Sequence, residues 1–501
     1  MKKLHDLLHA ASELKGQDIS EKVSRHQQAI SGITVLAEQL EFEVSHGYIQ
    51  SYPEMEGLMY PENDVSGNAL YQLTHRVKRK SLNRLASEDL SERFRNEYDK
   101  KRYLVQRNFA IAEAMILKGF PKPGWDLMKK IAGDARKYAL THYANAIYHR
   151  LTYHFALQGK HKAYRSSVQK TKTLSKLLSA ETEADVLFCE LSLLMRNRWH
   201  FEGRIKSKAR EAHRRLQQLV RTYHSHNLWL AHFRIAIYHE YAREDYHALL
   251  EVTRRFRHYL LENPHLQQDA RWAELAHHEM NACLALRNFV YGLKHAEENK
   301  KFLHANNHNW MLYMENYFQL LMHAGRFEQA QQVYNEVTGS RYWQGRTNAQ
   351  RELWKIKLAY LHFALNDIKQ IALFMPARFL NQISLLKKDK QGINFALQVA
   401  ELMYLLAQNN TDRLAEFSHS FRMYVSRHIS RRRHYRSYYF SKLLLLLDKY
   451  NFDISKAETI GKKFHERLID FRRQSTHDRE LTELIPYDQL WPMMLRVMKS
   501  Q

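Results

Sequence analysis

Short polar turns recur along the middle of this chain at a nearly constant interval, and no other feature limits its folding choices as much. They are Gln158-Gly-Lys-His161, Phe201-Glu-Gly-Arg204, Arg243-Glu-Asp-Tyr246, Arg287-Asn-Phe289, Ala324-Gly-Arg-Phe327, Leu365-Asn-Asp-Ile368 and Gln408-Asn-Asn-Thr411, about 38 to 44 residues apart. An interval of that size matches one pair of helices per repeat. Each pair leaves an apolar face that only a neighbour can cover. Seven regularly spaced hairpins therefore predict an all-α chain stacked as an α-solenoid around a continuous core, not a closed bundle.

The segments between turns have the matching period. From Leu249, the apolar residues Leu249, Val252, Phe256, Tyr259 and Leu260 form one stripe, with Arg254, Arg255 and Arg257 on the opposite side. Upstream, Trp229, Phe233, Ala236, Ile237 and Tyr241 form another stripe, and Arg243-Glu-Asp245 joins the two into an antiparallel hairpin. Trp229, Trp272, Trp310 and Trp354 recur in first helices, where packing between repeats accounts for them.

Composition narrows the class. At 501 residues the chain exceeds one compact core, and 45% hydrophobic and 12% aromatic content excludes a disordered polypeptide. Sixteen Gly and eight Pro are too few for the turns of an all-β protein. Cys189 and Cys283 lie far apart within apolar helical patterns, so neither a disulfide framework nor a cysteine-ligated zinc site is expected, and a reducing, cytoplasmic compartment fits. His5, Asp6 and His9 break the apolar run that a signal peptide needs, so the opening stretch reads as an amphipathic helix. The longest aliphatic run, Leu443 to Leu447, falls far short of the roughly 20 residues needed to cross a bilayer. No membrane partner is expected.

The stretch Ala324-Gly-Arg-Phe-Glu-Gln-Ala330, followed by Tyr334, resembles the start of the second helix of a tetratricopeptide repeat: glycine at the turn, an aromatic two later, then a small residue and a further aromatic. Phe289, Gly292 and Ala296 echo the pattern, as do Tyr246 and Leu249. Phe318 stands where that family prefers a small residue, the terminal proline is missing, and the period exceeds roughly 34 residues. The resemblance covers residues 140–425 and implies a right-handed superhelix of antiparallel helix hairpins with a concave binding groove.

Breakers divide the chain further. Residues 50–67 hold two Pro, two Gly and four acidic residues, and read as a loop within an N-terminal helical domain of residues 1–118. Lys118-Gly-Phe-Pro-Lys-Pro-Gly124 marks the boundary with the tetratricopeptide-like repeats of residues 119–425. Residues 426–501 supply basic C-terminal helices, and the Ile485-Pro486 and Trp491-Pro492 pairs interrupt a final segment expected to cap the last repeat.

No Gly-rich phosphate loop, Gly-x-Ser-x-Gly elbow or His-Glu-x-x-His occurs, so no catalytic residue, cofactor or metal is assigned and the chain reads as non-catalytic. Among thirty histidines, His304 and His308 would share a helix face but lack a third ligand, and His277 and His278, as adjacent residues, point apart. Charge gives the stronger signal. The net charge is +24, and residues 72–107, 204–221 and 427–442 together contribute +18 of it. Such faces either keep a long helical array solvated or meet an acidic partner.

The candidate partner-binding residues are Arg427, Arg431, Arg432, Arg433 and Arg436, with Arg204, Lys206, Lys208, Arg210, Arg214 and Arg215. Their guanidinium and ammonium groups suit carboxylates and phosphates alike. Arg76, Lys78, Arg79 and Lys80 form a second, less aromatic patch. Tyr435, Tyr438 and Tyr439 could stack on bases but fall at core spacing. The leading expectation is an adaptor that holds a protein or peptide, acidic in character. The alternative is an RNA- or DNA-binding protein, and oligomeric state is left open.

Overall fold

The computed structural model describes residues 75, 79, 82, 83, 86, 88–196, 198–303, 308–340, 343, 348–373, 393–431, 434–470 and 483–499. Among these, the regular structure is helical throughout, with eighteen α-helices and no strand. The loop expected at 50–67, Arg76, Lys78 and Lys80 lie outside the described residues, as do Arg432 and Arg433; Arg79 is described and exposed.

The chain divides into two compact units, residues 1–138 and 139–501. In the first, α1 (Glu97–Leu117) and α2 (Pro121–Lys137) form a hairpin. Asn96 caps α1 by accepting the Asp99 N–H at 2.8 Å, and Pro121 opens α2, where its missing N–H costs nothing. Gly124 is required by packing: a Cβ there would stand 2.7 Å from Ile116 Cγ1 and 2.9 Å from the Ala112 carbonyl oxygen. The segment Lys118 to Gly124, expected as a domain boundary, is thus the turn of a hairpin and the first turn of its second helix. The division falls after Tyr138 instead.

The second unit contains α3 (Thr141–Leu157), α4 (His161–Arg196), α5 (Arg198–Thr222), α6 (His226–Arg243), α7 (Tyr246–Glu262), α8 (Asp269–Leu286), α9 (Phe289–Lys300), α10 (His308–His323) and α11 (Phe327–Thr338). It continues with α12 (Asn348–Ala364), α13 (Ile368–Leu373), α14 (Ile393–Ala407), α15 (Thr411–His428), α16 (Tyr435–Lys449), α17 (Ile454–Asp470) and α18 (Tyr487–Lys499). Most helices pack on their chain neighbours, and α4 also touches α6, α8 touches α10, and α12 touches α14. One apolar cluster runs from Leu230 to Leu495, and a second spans α4, α5 and α6 from Ala180 to Ala242. Trp272, Trp310 and Trp354 are buried in the first, as their positions implied.

One turn design explains the regular period. At seven turns of this unit the helix closes through a left-handed residue: Gly159, Glu244, Arg287, Gly325, Asn366, Asn409 or Asn451. The N–H of the following residue reaches back to the carbonyl five residues earlier, as in Asp245 to Glu240, Asn288 to Cys283, Arg326 to Leu321, Asp367 to His362 and Asn410 to Leu405. This pattern satisfies carbonyls that a helix C-terminus leaves open. At three turns the same residue then caps the next helix: Asp245 accepts the Ala248 N–H, Asp367 that of Gln370 and Asn410 that of Arg413. Closing one helix and opening the next with a single residue fixes the turn length, so similar helices give a similar period.

One of the seven expected turns is misplaced. Phe201 to Arg204 lies inside α5, which begins at Arg198. Gly203 is simply an exposed helical glycine, tolerated at a cost of about 1 kcal/mol. A turn beyond the seven occurs at Tyr450 to Asp453, between α16 and α17, where Asn451 and Phe452 both have positive φ.

Glu181 of α4 ties three elements together. Its carboxylate accepts from Thr141 at 2.9 Å, from Ser225 just before α6, and from Asn227 at 3.2 Å. Burial raises its pKa above the ordinary carboxylate value, although these three donors pull the other way.

Candidate partner-binding faces

The basic residues of α5 separate into two rows because the helix is amphipathic. Ile205, Ala209, Ala212, Leu216, Leu219 and Val220 are buried, which turns the remaining positions outward. In one row the charges are matched. Lys208 pairs with Glu211 at 3.3 Å, and the Arg215 guanidinium grips Glu183 of α4 through both Nε and Nη2. In the other, Lys206, Arg210 and Arg214 recur every four residues, are exposed, and form no ion pair among the described residues. Arg204 is exposed as well.

The Arg215 to Glu183 pair fixes the register of α5 against α4, so Lys206 and Arg210 lie level with residues 188 to 192 of α4. There α4 exposes Val186, Cys189 and Leu193, which share a helix face; Val186 is 53% and Leu193 65% exposed.

The described arginines near the C-terminus, Arg427, Arg431 and Arg436, stand in different settings. Arg427 is exposed in the last turn of α15, where a cation also suits the helix dipole. Arg431 is exposed with its guanidinium 5.8 Å from the Tyr439 ring. Arg436, expected among the partner-binding residues, is instead 4% exposed and fully engaged inside the protein. It donates to Glu483 through Nε at 2.8 Å and Nη2 at 2.6 Å, to Asp488 at 2.7 Å and to the Leu468 carbonyl at 2.8 Å. Arg287 holds the same Asp488 with bonds of 3.0 and 2.7 Å. Burial opposes ionisation of both acids, yet the two arginines outweigh it and keep Glu483 and Asp488 below the ordinary carboxylate range.

The final segment therefore does more than cap the last hairpin. α18 packs on α14, α16 and α17, while the Glu483 carbonyl accepts from Gln319 at 2.7 Å and from His323 at 2.6 Å, both on α10. Burial lowers the His323 pKa to about 4, so the ring is neutral and its Nε2 serves as the donor. Tyr487 stacks on Phe440 with centroids 4.3 Å apart. Tyr439 is buried and Tyr435 and Tyr438 are half-buried, the core placement their spacing implied.

His277 and His278 diverge: His277 meets Asn281 and Asn316, whereas His278 meets the Tyr241 hydroxyl at 3.0 Å. Arg257, placed by periodicity on the outer side of α7, reaches back to buried Glu279 of α8. The side chains of His304 and His308 lie outside the described residues. Among the described residues, no group of three or more His, Cys, Asp or Glu is arranged to hold a metal ion, and no helix is long and apolar enough to cross a membrane.

A further basic face escapes a search for local excess. Residues 139–180 contain seven Lys/Arg and no Asp or Glu, whereas the chain-wide rate of 53 acids in 501 residues predicts about four. The signal is the missing acid. Lys162, Arg165, Lys172 and Lys176 of α4 are all exposed.

Comparison with known proteins finds no family model that matches the chain and no curated protein similar to it in sequence.

Proposed function

We propose that this chain is a non-catalytic helical-repeat scaffold, a right-handed α-solenoid of tetratricopeptide-like hairpins, that holds an acidic protein or peptide partner. The observation that carries the reading is the unneutralised row Lys206, Arg210 and Arg214 on α5. The exposed apolar residues Val186 and Leu193 at the same level of α4 support a protein partner over other polyanions, because protein interfaces combine apolar anchors with a charged rim. The turn geometry and the sequential packing of helices support the solenoid.

The test is capture from cell lysate after nuclease treatment, with the wild type beside K206Q/R210Q/R214Q and V186S/L193S. A protein retained by the wild type and lost by both variants supports the reading. Recovery that vanishes with nuclease, or equal recovery by all three, overturns it. A nucleic-acid partner is the second reading, favoured wherever a basic face lacks apolar anchors.

A further inference from the structure

α4 is 36 residues long, and its two halves present different chemistry. In the N-terminal half, Lys162, Arg165, Gln169, Lys172, Thr173 and Lys176 follow helical spacing and are all exposed. They form one polar stripe opposite Ser167, the buried position of that half. None of its four cations forms an ion pair among the described residues, and the first acid downstream, Glu181, is buried in its own hydrogen bonds. From Lys162 to Lys176 the stripe covers about 21 Å at 1.5 Å per residue.

We propose that this stripe binds the phosphate backbone of single-stranded nucleic acid without reading its sequence. The proposal is independent of the protein-partner face on α5.

The character of the stripe selects this occupant. A protein interface needs apolar or aromatic anchors near its centre, and the stripe contains none. An anionic bilayer would also attract these cations, but the stripe lacks the apolar side chains whose insertion between headgroups makes such binding stable, so vesicles form one arm of the test below. A polyphosphate backbone needs only a row of cations with an uncancelled field, and arginine adds a bidentate grip on phosphate oxygens. Duplex DNA fits poorly: 21 Å is about 0.6 of its ~35 Å helical turn, over which each strand winds away from a straight row. A flexible single strand can follow four cations spaced on average about 7 Å apart along the axis.

The experiment uses the full chain and its K162Q/R165Q/K172Q/K176Q variant, whose substitutions keep good helix formers on an exposed face. Fluorescence anisotropy is measured with a 20-nucleotide uridine RNA, a thymidine DNA of equal length and a 20-base-pair duplex, over a salt series. The wild type should bind both single strands with steep salt dependence. The variant should bind ~10-fold or more weakly, with the slope of log affinity against log salt reduced by ~3, since each lost contact removes ~0.7 for a single strand. Unchanged helicity by circular dichroism and crosslinks mapping to residues 161–177 keep the result apart from misfolding. Tighter binding to duplex, equal displacement by polyglutamate, or equal affinity of wild type and variant overturns the proposal. So would loss in the variant of binding to phosphatidylserine vesicles but not to the oligonucleotides. Loss of single-strand binding in K206Q/R210Q/R214Q with the α4 variant unaffected would move the site to α5.

Discussion

Replacing Arg436 with methionine should loosen the C-terminal segment more than any exposed substitution in this chain. Among the described residues the guanidinium makes four hydrogen bonds, two to Glu483, one to Asp488 and one to the Leu468 carbonyl, with almost no solvent access. Asp488 keeps Arg287 in the variant, but Glu483 loses the one arginine that contacts it among the described residues. Charge-assisted bonds at ~1.5–3 kcal/mol each would give an upper bound of ~6–12 kcal/mol for four. Water entering beside Glu483, or its protonation, offsets much of this, and removing one partner of a buried ion pair costs ~3–5 kcal/mol.

The same energy should appear as ~10²- to 10⁴-fold faster amide hydrogen exchange across Tyr487 to Leu495, at ~1.4 kcal/mol per decade. Arg436→Lys should recover part of the loss, because it keeps the charge but not the fork. The pH sign follows from the depressed carboxylates. Their contribution is complete above the ordinary carboxylate pKa and is lost as pH falls through the lower folded values, so protection of α18 in the wild type should fail in acid. Exchange in Arg436→Met within threefold of the wild type at neutral pH would refute the reasoning.

Other perturbations test separate parts of the fold. Gly292→Ala places a methyl 2.8 Å from Cys283 Cβ and 3.0 Å from Leu320 Cδ2, and should cost ~1–3 kcal/mol by urea denaturation. Gly325→Ala meets no neighbour but has a φ of +71°, so ~1–2 kcal/mol of backbone strain alone is expected in the same assay. Glu181 has its pKa raised by burial, so the folded state holds its proton more tightly and wild-type stability should fall as pH rises from the ordinary carboxylate value through the folded one. Glu181→Gln should flatten that slope between pH 4 and 7, and a parallel pH profile would contradict the assignment.

The turns were legible because their chemistry is local. Glycine, Asn-Asp and Asn-Asn report a left-handed residue followed by a cap, and six of seven expected turns fall between helices. Gly203 misled because glycine inside a helix looks the same in sequence as glycine at its end. Arg436 misled for a different reason: its acidic partners stand 47 and 52 residues further on, and nothing in Arg-Arg-Arg-His-Tyr-Arg marks which arginine turns inward. The α4 stripe is not marked by a cluster of cations; its distinguishing property is an absence of acids across residues 139–180, which span α3 and the N-terminal half of α4.

The two proposed faces should act independently, and that too can be measured. Lys176, the last cation of the stripe, precedes Val186 by ten residues, which is about 15 Å along a continuous helix. That separation is nearly twice the ~8 Å Debye length at physiological ionic strength, so an anion bound along the stripe is largely screened from a partner seated at Val186 and Leu193. Changes more than ~10 Å apart with no shared contact usually add within ~0.5 kcal/mol. Combining K162Q/R165Q/K172Q/K176Q with V186S/L193S should therefore reduce oligonucleotide binding as the first set does alone, and protein capture as the second does alone. A combined effect that departs from additivity by more than ~1 kcal/mol would mean that one ligand covers both halves of α4. The division of the helix into a nucleic-acid half and a protein half would then be wrong.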